Sequence, residues 1–148
     1  MPKTSHPDDP HDLQRFVVAQ EPLYAQVRAE LGRGRKASHW MWFVFPQLRG
    51  LGYSAMAHHF GIASRDEAIA YRQHPVLGPR LIECTRLVLA VGGRTVLQIL
   101  GAPDDLKLGS SMTLFESVAP GDPEFGRALD RYFGGQRDER TIALLAGR

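Results

Sequence analysis

The sequence predicts an all-α fold, a compact single-domain multihelical bundle of about seven to nine short helices. Three observations predict it. Apolar residues recur three and four positions apart through most of the chain, as one face of a helix requires. Glycines, prolines and capping residues break that pattern at short intervals, so no helix is long. No segment alternates apolar and polar residues between hairpin-type turns.

Residues 1–11 are polar and proline-rich and read as a flexible N-terminal tail, which leaves 12–148 as the single helical domain. Asp12 stands where it can cap a helix whose face is Leu13, Phe16, Val17, Gln20, Tyr24, Val27 and Leu31. Pro22 interrupts this stretch, so either the helix kinks or a second one starts with proline in its first turn. Gly32 and Gly34 end it. The aromatic run Trp40–Phe45 is too short to distinguish helix from strand, and Pro46 disfavours helix at Phe45. Residues 54–60 form a short helix closed by Gly61. Ser64 and Glu67 have capping-box spacing and open a helix that Pro75 stops. Leu77, Leu81, Cys84, Val88 and Val91 then mark one face of a longer helix, ended by Gly92-Gly93. Residues 95–100 make a short apolar helix, and Asp104 or Asp105 can cap the one carrying Leu108, Met112 and Phe115. Phe125, Ala128, Leu129, Tyr132 and Phe133 form a further stripe before Gly134-Gly135, and Asp138 caps a last helix through Leu145.

The composition excludes several classes. With 148 residues, 43% hydrophobic and 23% charged, the chain is neither disordered, collagenous nor a coiled-coil rod. One cysteine, Cys84, rules out an internal disulfide framework and a multi-cysteine metal site. Its place on an apolar helical face makes it a small core residue. The apolar run of six residues at 40–45 is far below the ~20 that a membrane span needs. The first dozen residues hold no apolar leader, so secretion is not indicated and a cytoplasmic protein is expected. Eighteen basic and sixteen acidic residues give +2 and are mixed along the chain, which argues against an extended nucleic-acid surface. Fifteen of the basic residues are arginines, in keeping with ordinary surface ion pairs. The six histidines form no H-x-x-x-H or H-E-x-x-H pair, so no metal is expected, and no cofactor motif occurs. The oligomeric state is not readable.

Two segments hold the unusual residues. The first runs from Arg35 and Lys36 through His39, Trp40 and Trp42 to Gln47. Its rings can simply fill a core, or can stack a base while the cations hold phosphate. The second contains Asp104, Asp105, Lys107, Ser110 and Ser111. Lys107 and Ser111 are i, i+4 and fit a serine–lysine dyad. The serines also fit an anion site at a helix start, and small residues there also allow close helix packing. The tentative ligand-binding set is therefore Arg35, Lys36, His39, Trp40, Trp42, Gln47, Lys107, Ser110 and Ser111.

The motifs D-L-x-R-F at 12–16, H-W-M-W-F-V-F-P-Q-L at 39–48, G-L-G at 50–52, H-P-x-L-G-P-R-L at 74–81 and D-D-L-K-L-x-S-S-M-T-L-F at 104–115 resemble domain-of-unknown-function family 1810. The resemblance spans about residues 12–145. It implies a small, mainly bacterial, multihelical protein and brings no biochemical activity. The label calpastatin, sometimes attached to such sequences, does not fit: calpastatin is a disordered inhibitor, and this composition is that of a folded domain. The order of an early aromatic motif, A-x-x-Y-x-x-x-P at 68–75 and a late aspartate-rich turn is also similar to that of NADAR proteins, which handle ADP-ribose-linked compounds as N-glycosidases. Their W-G after the late aspartate is absent here, so no catalytic residue carries over.

Three functions stay open on the sequence. One is a small-molecule binding module with a cleft for a phosphate-bearing or nucleotide-like ligand. Another is a hydrolase or N-glycosidase acting on an ADP-ribose-like compound, with Asp104, Asp105 and Glu83 as carboxylates placed by location. The third is a structural or partner-binding protein with no ligand site, in which Trp40 and Trp42 lie wholly buried or in an exposed patch.

Overall fold

Pro22 marks the first choice that the sequence leaves open, between a kink and a second helix. The proline lies in a turn, and the expected opening stripe becomes two helices, α1 (Gln14–Gln20) and α2 (Tyr24–Gly32). The aromatic segment adds one turn of helix, α3 (Met41–Val44). These additions bring the residues described by this computed structural model, 8–147, to ten helices where seven to nine were expected. The remainder follow the punctuation: α4 (Ala55–His59), α5 (Arg65–Gln73), α6 (Leu77–Ala90), α7 (Val96–Leu100), α8 (Asp104–Val118), α9 (Pro123–Tyr132) and α10 (Glu139–Ala146). No strand forms among the described residues. Leu48 and Ile62 make an isolated parallel bridge, with Arg49 N–H donating to Ile62 O and Ile62 N–H to Gln47 O, both at 2.9 Å. Among the described residues no helix is long and apolar enough to cross a membrane.

Capping corrects the sequence reading at two helices. The N–H groups of Leu13 and Gln14 donate to the Asp9 carboxylate at 2.7 and 3.0 Å, so Asp9 takes the position expected of Asp12. Asp12 itself lies in the left-handed region, φ 52°. Of the expected tail, residues 8–11 form turns before α1, and residues 1–7 lie outside the described residues. Asp104 and Asp105 sit within the first turn of α8 and do not cap it. Ser64 and Asp138 do cap, accepting from Glu67 N–H and Thr141 N–H at 3.1 Å each.

The core is organised on α6 and α8. The stripe read from the sequence, Leu77, Leu81, Cys84 and Val88, is buried against α2, α5 and α9. The α8 helix packs on α5, α7, α9 and α10 and buries Leu108, Met112, Leu114 and Phe115. Rings of Phe16, Tyr71, Phe115 and Phe125 run through the centre with centroids 5.0, 5.4 and 5.8 Å apart.

One buried carboxylate fixes the loop between α2 and α3. Glu30 is 1% exposed and accepts from Ala37 N–H (2.8 Å), Ser38 N–H (3.1 Å), Ser38 Oγ (2.6 Å), Trp40 Nε1 (2.9 Å) and Gln26 Nε2 (3.0 Å). Burial pushes its carboxyl up. The hydrogen bonds from Ser38, Ala37, Trp40 and Gln26 outweigh burial and hold it at about 2, against an ordinary 4.5. Glu30→Gln removes one acceptor and turns an N–H2 group toward donors, and is expected to lower stability by about 2–4 kcal/mol. A depressed carboxyl stabilises fully above its unfolded pKa and loses that contribution on acidification. Urea midpoints measured across pH should therefore show the full gap between wild type and Glu30→Gln above about pH 4.5, narrowing as pH falls toward 2.

Candidate functional site

Leu106, Lys107 and Ser110 lie three and four residues apart on α8, and Pro103 precedes them at the same spacing. They face away from the buried Leu108–Met112–Phe115 side and floor a trough of about 470 Å³. Gln47, Leu51 and Gly52 form one wall, on the loop that the Leu48–Ile62 bridge fixes. Phe133, Gln136 and Asp138, between α9 and α10, form the other together with Arg140 in the first turn of α10. The link between the two helices needs Gly134 and Gly135, at φ 61° and 77°. Its far end is tied to α8. Asp138 N–H donates to Thr113 Oγ1 (2.9 Å), and Asp138 Oδ2 accepts from Ser110 Oγ (3.1 Å) and Thr141 Oγ1 (2.5 Å). Gly109 lets the Phe133 ring lie on the α8 backbone, since a Cβ there would stand 3.1 Å from Phe133 Cε1.

The two segments singled out in the sequence meet behind this trough. Asp104 Oδ2 holds Lys36 Nζ at 2.9 Å, and Asp104 Oδ1 lies 3.5 Å from Lys107 Nζ. Each lysine lies by a tryptophan, Lys36 5.1 Å from the Trp40 ring centre and Lys107 5.2 Å from that of Trp42. Lys36 Nζ is thus committed inside the protein, whereas Lys107 lines the trough with one long ion pair. Arg140 lines it with no ion pair or hydrogen bond to any described residue. Arg137, also on the wall, is spoken for. Its guanidinium binds Glu116 at 2.5 and 2.9 Å, and that hydrogen-bonded carboxylate raises its pKa above the ordinary arginine value.

Of the nine residues in the tentative set, Gln47, Lys107 and Ser110 line the trough, and Lys36 and Trp42 support Lys107. Trp40 is fully buried and donates to Glu30. Arg35 and His39 are exposed and do not line the trough. Ser111 is fully buried, and its Oγ has no hydrogen-bond partner, so no bond joins it to Lys107 as a dyad requires. Asp104, Asp105 and Glu83 do not line the trough either, and Glu83 accepts instead from the Tyr24 hydroxyl. The sequence reading missed Leu51, Leu106, Phe133, Gln136, Asp138 and Arg140 as site residues. The helical spacing of 103, 106, 107 and 110 is the one signal that pointed to the floor.

Three other concavities are of similar or larger volume. A hollow of about 420 Å³ contains His11, His58 and Arg15, but the Arg15 guanidinium is already shared among His11 O, Asp12 O, His59 O, Gly61 O and Glu67. A groove of about 580 Å³ on α6 is mainly apolar, and its Arg72 and Arg86 are paired with Asp122 and Glu124. Another, of about 590 Å³, lies between residues 8–14 and α5. No group of three or more histidine, cysteine, aspartate or glutamate side chains able to hold a metal occurs among the described residues. Burial pushes the Cys84 thiol up to about 12, so it is no nucleophile at neutral pH.

The sequence pattern of the family described as Protein of unknown function (DUF1810) matches residues 10–145. The chain belongs to this family. The DUF1810 chain is also similar to a solved structure, that of the conserved hypothetical protein Rv1873 from Mycobacterium tuberculosis, at 59% identity and a TM-score of 0.92. The match covers 93% of this chain and 99% of that one. No curated protein matches the chain.

The two neighbouring serines separate structural from unsatisfied hydroxyls. Ser110→Ala deletes the bond to Asp138 and is expected to cost about 0.5–1.5 kcal/mol. Ser111→Ala removes a buried hydroxyl without a partner and should be neutral or slightly stabilising. Denaturant midpoints of the two variants check this ordering.

Proposed function

We propose that this DUF1810 protein is a small-molecule binding module whose trough on α8 takes a phosphate-bearing, nucleotide-like ligand. One observation carries the reading: Lys107 and Arg140, the latter unpaired among the described residues, line the same concavity as Leu51, Leu106 and Phe133. Cations without strong internal partners beside apolar surface suit a ligand with one anionic and one flat or apolar part. About 470 Å³ falls in the range of small-molecule sites.

The hydrolase reading has less support, because the carboxylates it needs lie elsewhere. Among the described residues, Asp138 is the one carboxylate of the trough, and its Oδ2 is engaged as a helix cap. A purely structural role gives Arg140, which has no ion pair among the described residues, no part in the trough.

Thermal shift against a panel of nucleotides, sugar phosphates and pyrophosphate tests the proposal. A ligand at 100 times its Kd adds about 2.7 kcal/mol, or roughly 5–10 °C for a domain of this size. Lys107→Ala and Arg140→Ala should each weaken that ligand roughly ten- to hundredfold by calorimetry. Flat melting temperatures at millimolar concentrations throughout the panel would refute the reading.

A further inference from the structure

The trough contains more than cations. Gln47 and Gln136 both line it, and neither side-chain amide has a hydrogen-bond partner among the described residues. Outside the trough, exposed Gln14 and Gln73 likewise have no side-chain hydrogen bond among the described residues, whereas the other glutamines do. Buried Gln20 donates to Phe43 O and Tyr71 Oη, Gln26 to Glu30 and Ser38, and Gln98 closes a capping box with Thr95. Glutamines with structural duties thus have visible partners. The two in the trough stand on opposite walls, one on the loop after α3 and one on the turn before α10. Between them, Phe133 is pressed onto the α8 backbone at Gly109, and Leu106, 69% exposed, projects from the floor.

A phosphate group alone has no flat face to lay on Phe133 and no paired donor and acceptor for an amide to match. A primary amide presents one donor and one acceptor side by side, which matches the neighbouring donor and acceptor on the edge of a nucleobase. A flat ring meanwhile gains by stacking on an aromatic side chain. We infer that the trough reads a nucleobase: its face lies against Phe133 and its edge is hydrogen-bonded by Gln136 and Gln47. This inference rests on the phosphate-bearing reading of the same trough only for the location of the charged end, at Lys107 and Arg140. It assigns Gln47, Gln136 and Phe133 as specificity-determining residues.

Calorimetric titration of the full chain separates the two ideas. The probes are the four common ribonucleoside 5′-monophosphates, the corresponding nucleosides, ribose 5-phosphate and inorganic pyrophosphate. At least one nucleoside monophosphate is expected to bind tenfold or more tightly than ribose 5-phosphate, on the scale of one stacked and hydrogen-bonded base. Gln136→Ala, at an exposed position, should cut that preference to below threefold and leave pyrophosphate binding within twofold of wild type. Phe133→Leu, which keeps an apolar side chain on Gly109 and removes the ring face, should weaken every base-bearing probe and spare pyrophosphate. Equal affinity for ribose 5-phosphate and all four monophosphates would overturn base recognition and leave the phosphate site standing. Nucleosides that bind as tightly as their monophosphates would support base recognition and overturn the phosphate site. No binding by any probe would overturn both.

Discussion

The Glu30 carboxylate is taken out of water and met by five donors, four of them from residues 37–40 and one from Gln26. A buried charge is tolerable only with such compensation. The compensation here comes from the stretch that turns the chain from α2 into the aromatic segment. Satisfying Glu30 therefore fixes the loop, places Trp40 in the core and leaves Lys36 at the surface of α8. Lys36 N–H donates to Ile99 O at 2.7 Å, and its ammonium closes on Asp104 with only 8% of the side chain exposed. Removing either partner of such a pair strands a buried charge, so the register of this loop against α8 is strongly specified.

The trough depends on that register. Asp104 is shared, with one oxygen held close by Lys36 and the other at a longer distance from Lys107. The arrangement leaves Lys107 loosely held over Trp42 at the edge of the concavity. Across the trough, the wall before α10 is tied down by Ser110, Thr113 and Thr141 acting on Asp138. The backbone of the site is thus rigidly supported, while Lys107, Arg140, Gln47 and Gln136 keep spare capacity. Preorganised walls with unspent polar groups are what a binding site requires, since less freedom is lost when a ligand arrives.

Much of this architecture is legible in local sequence alone. The stripes at 77–88 and 125–129 and the caps at Ser64 and Asp138 fall where local spacing puts them, because periodicity and capping are local properties. Pro22 and the 40–45 run are ambiguous locally and are settled by packing, which accounts for the additional helices. Within the site, Lys107, Ser110 and Gln47 stand out as polar residues in unusual motifs. Ser111 also stands out, but a single residue's rotation around α8 turns it from the trough into the core. Trp40 goes the same way, drawn in by a carboxylate ten positions earlier. Arg140, Gln136 and Phe133 carry no local signal. They line the trough because the end of α9, the turn after it and the start of α10 fold back on residues 103–110, and only long-range packing contains that information.

The central claim is that anionic ligands enter the trough between the loop after α3 and the start of α10. Backbone amide chemical shifts followed during titration with inorganic pyrophosphate test it whatever the natural ligand is. The account predicts progressive, saturable shifts concentrated at Leu106–Ser110, Gln136–Arg140 and Gln47–Gly52, and their loss in an Arg140→Ala, Lys107→Ala double variant. Shifts confined to the hollow around Arg15 and His58, or spread evenly over the molecule, would contradict it.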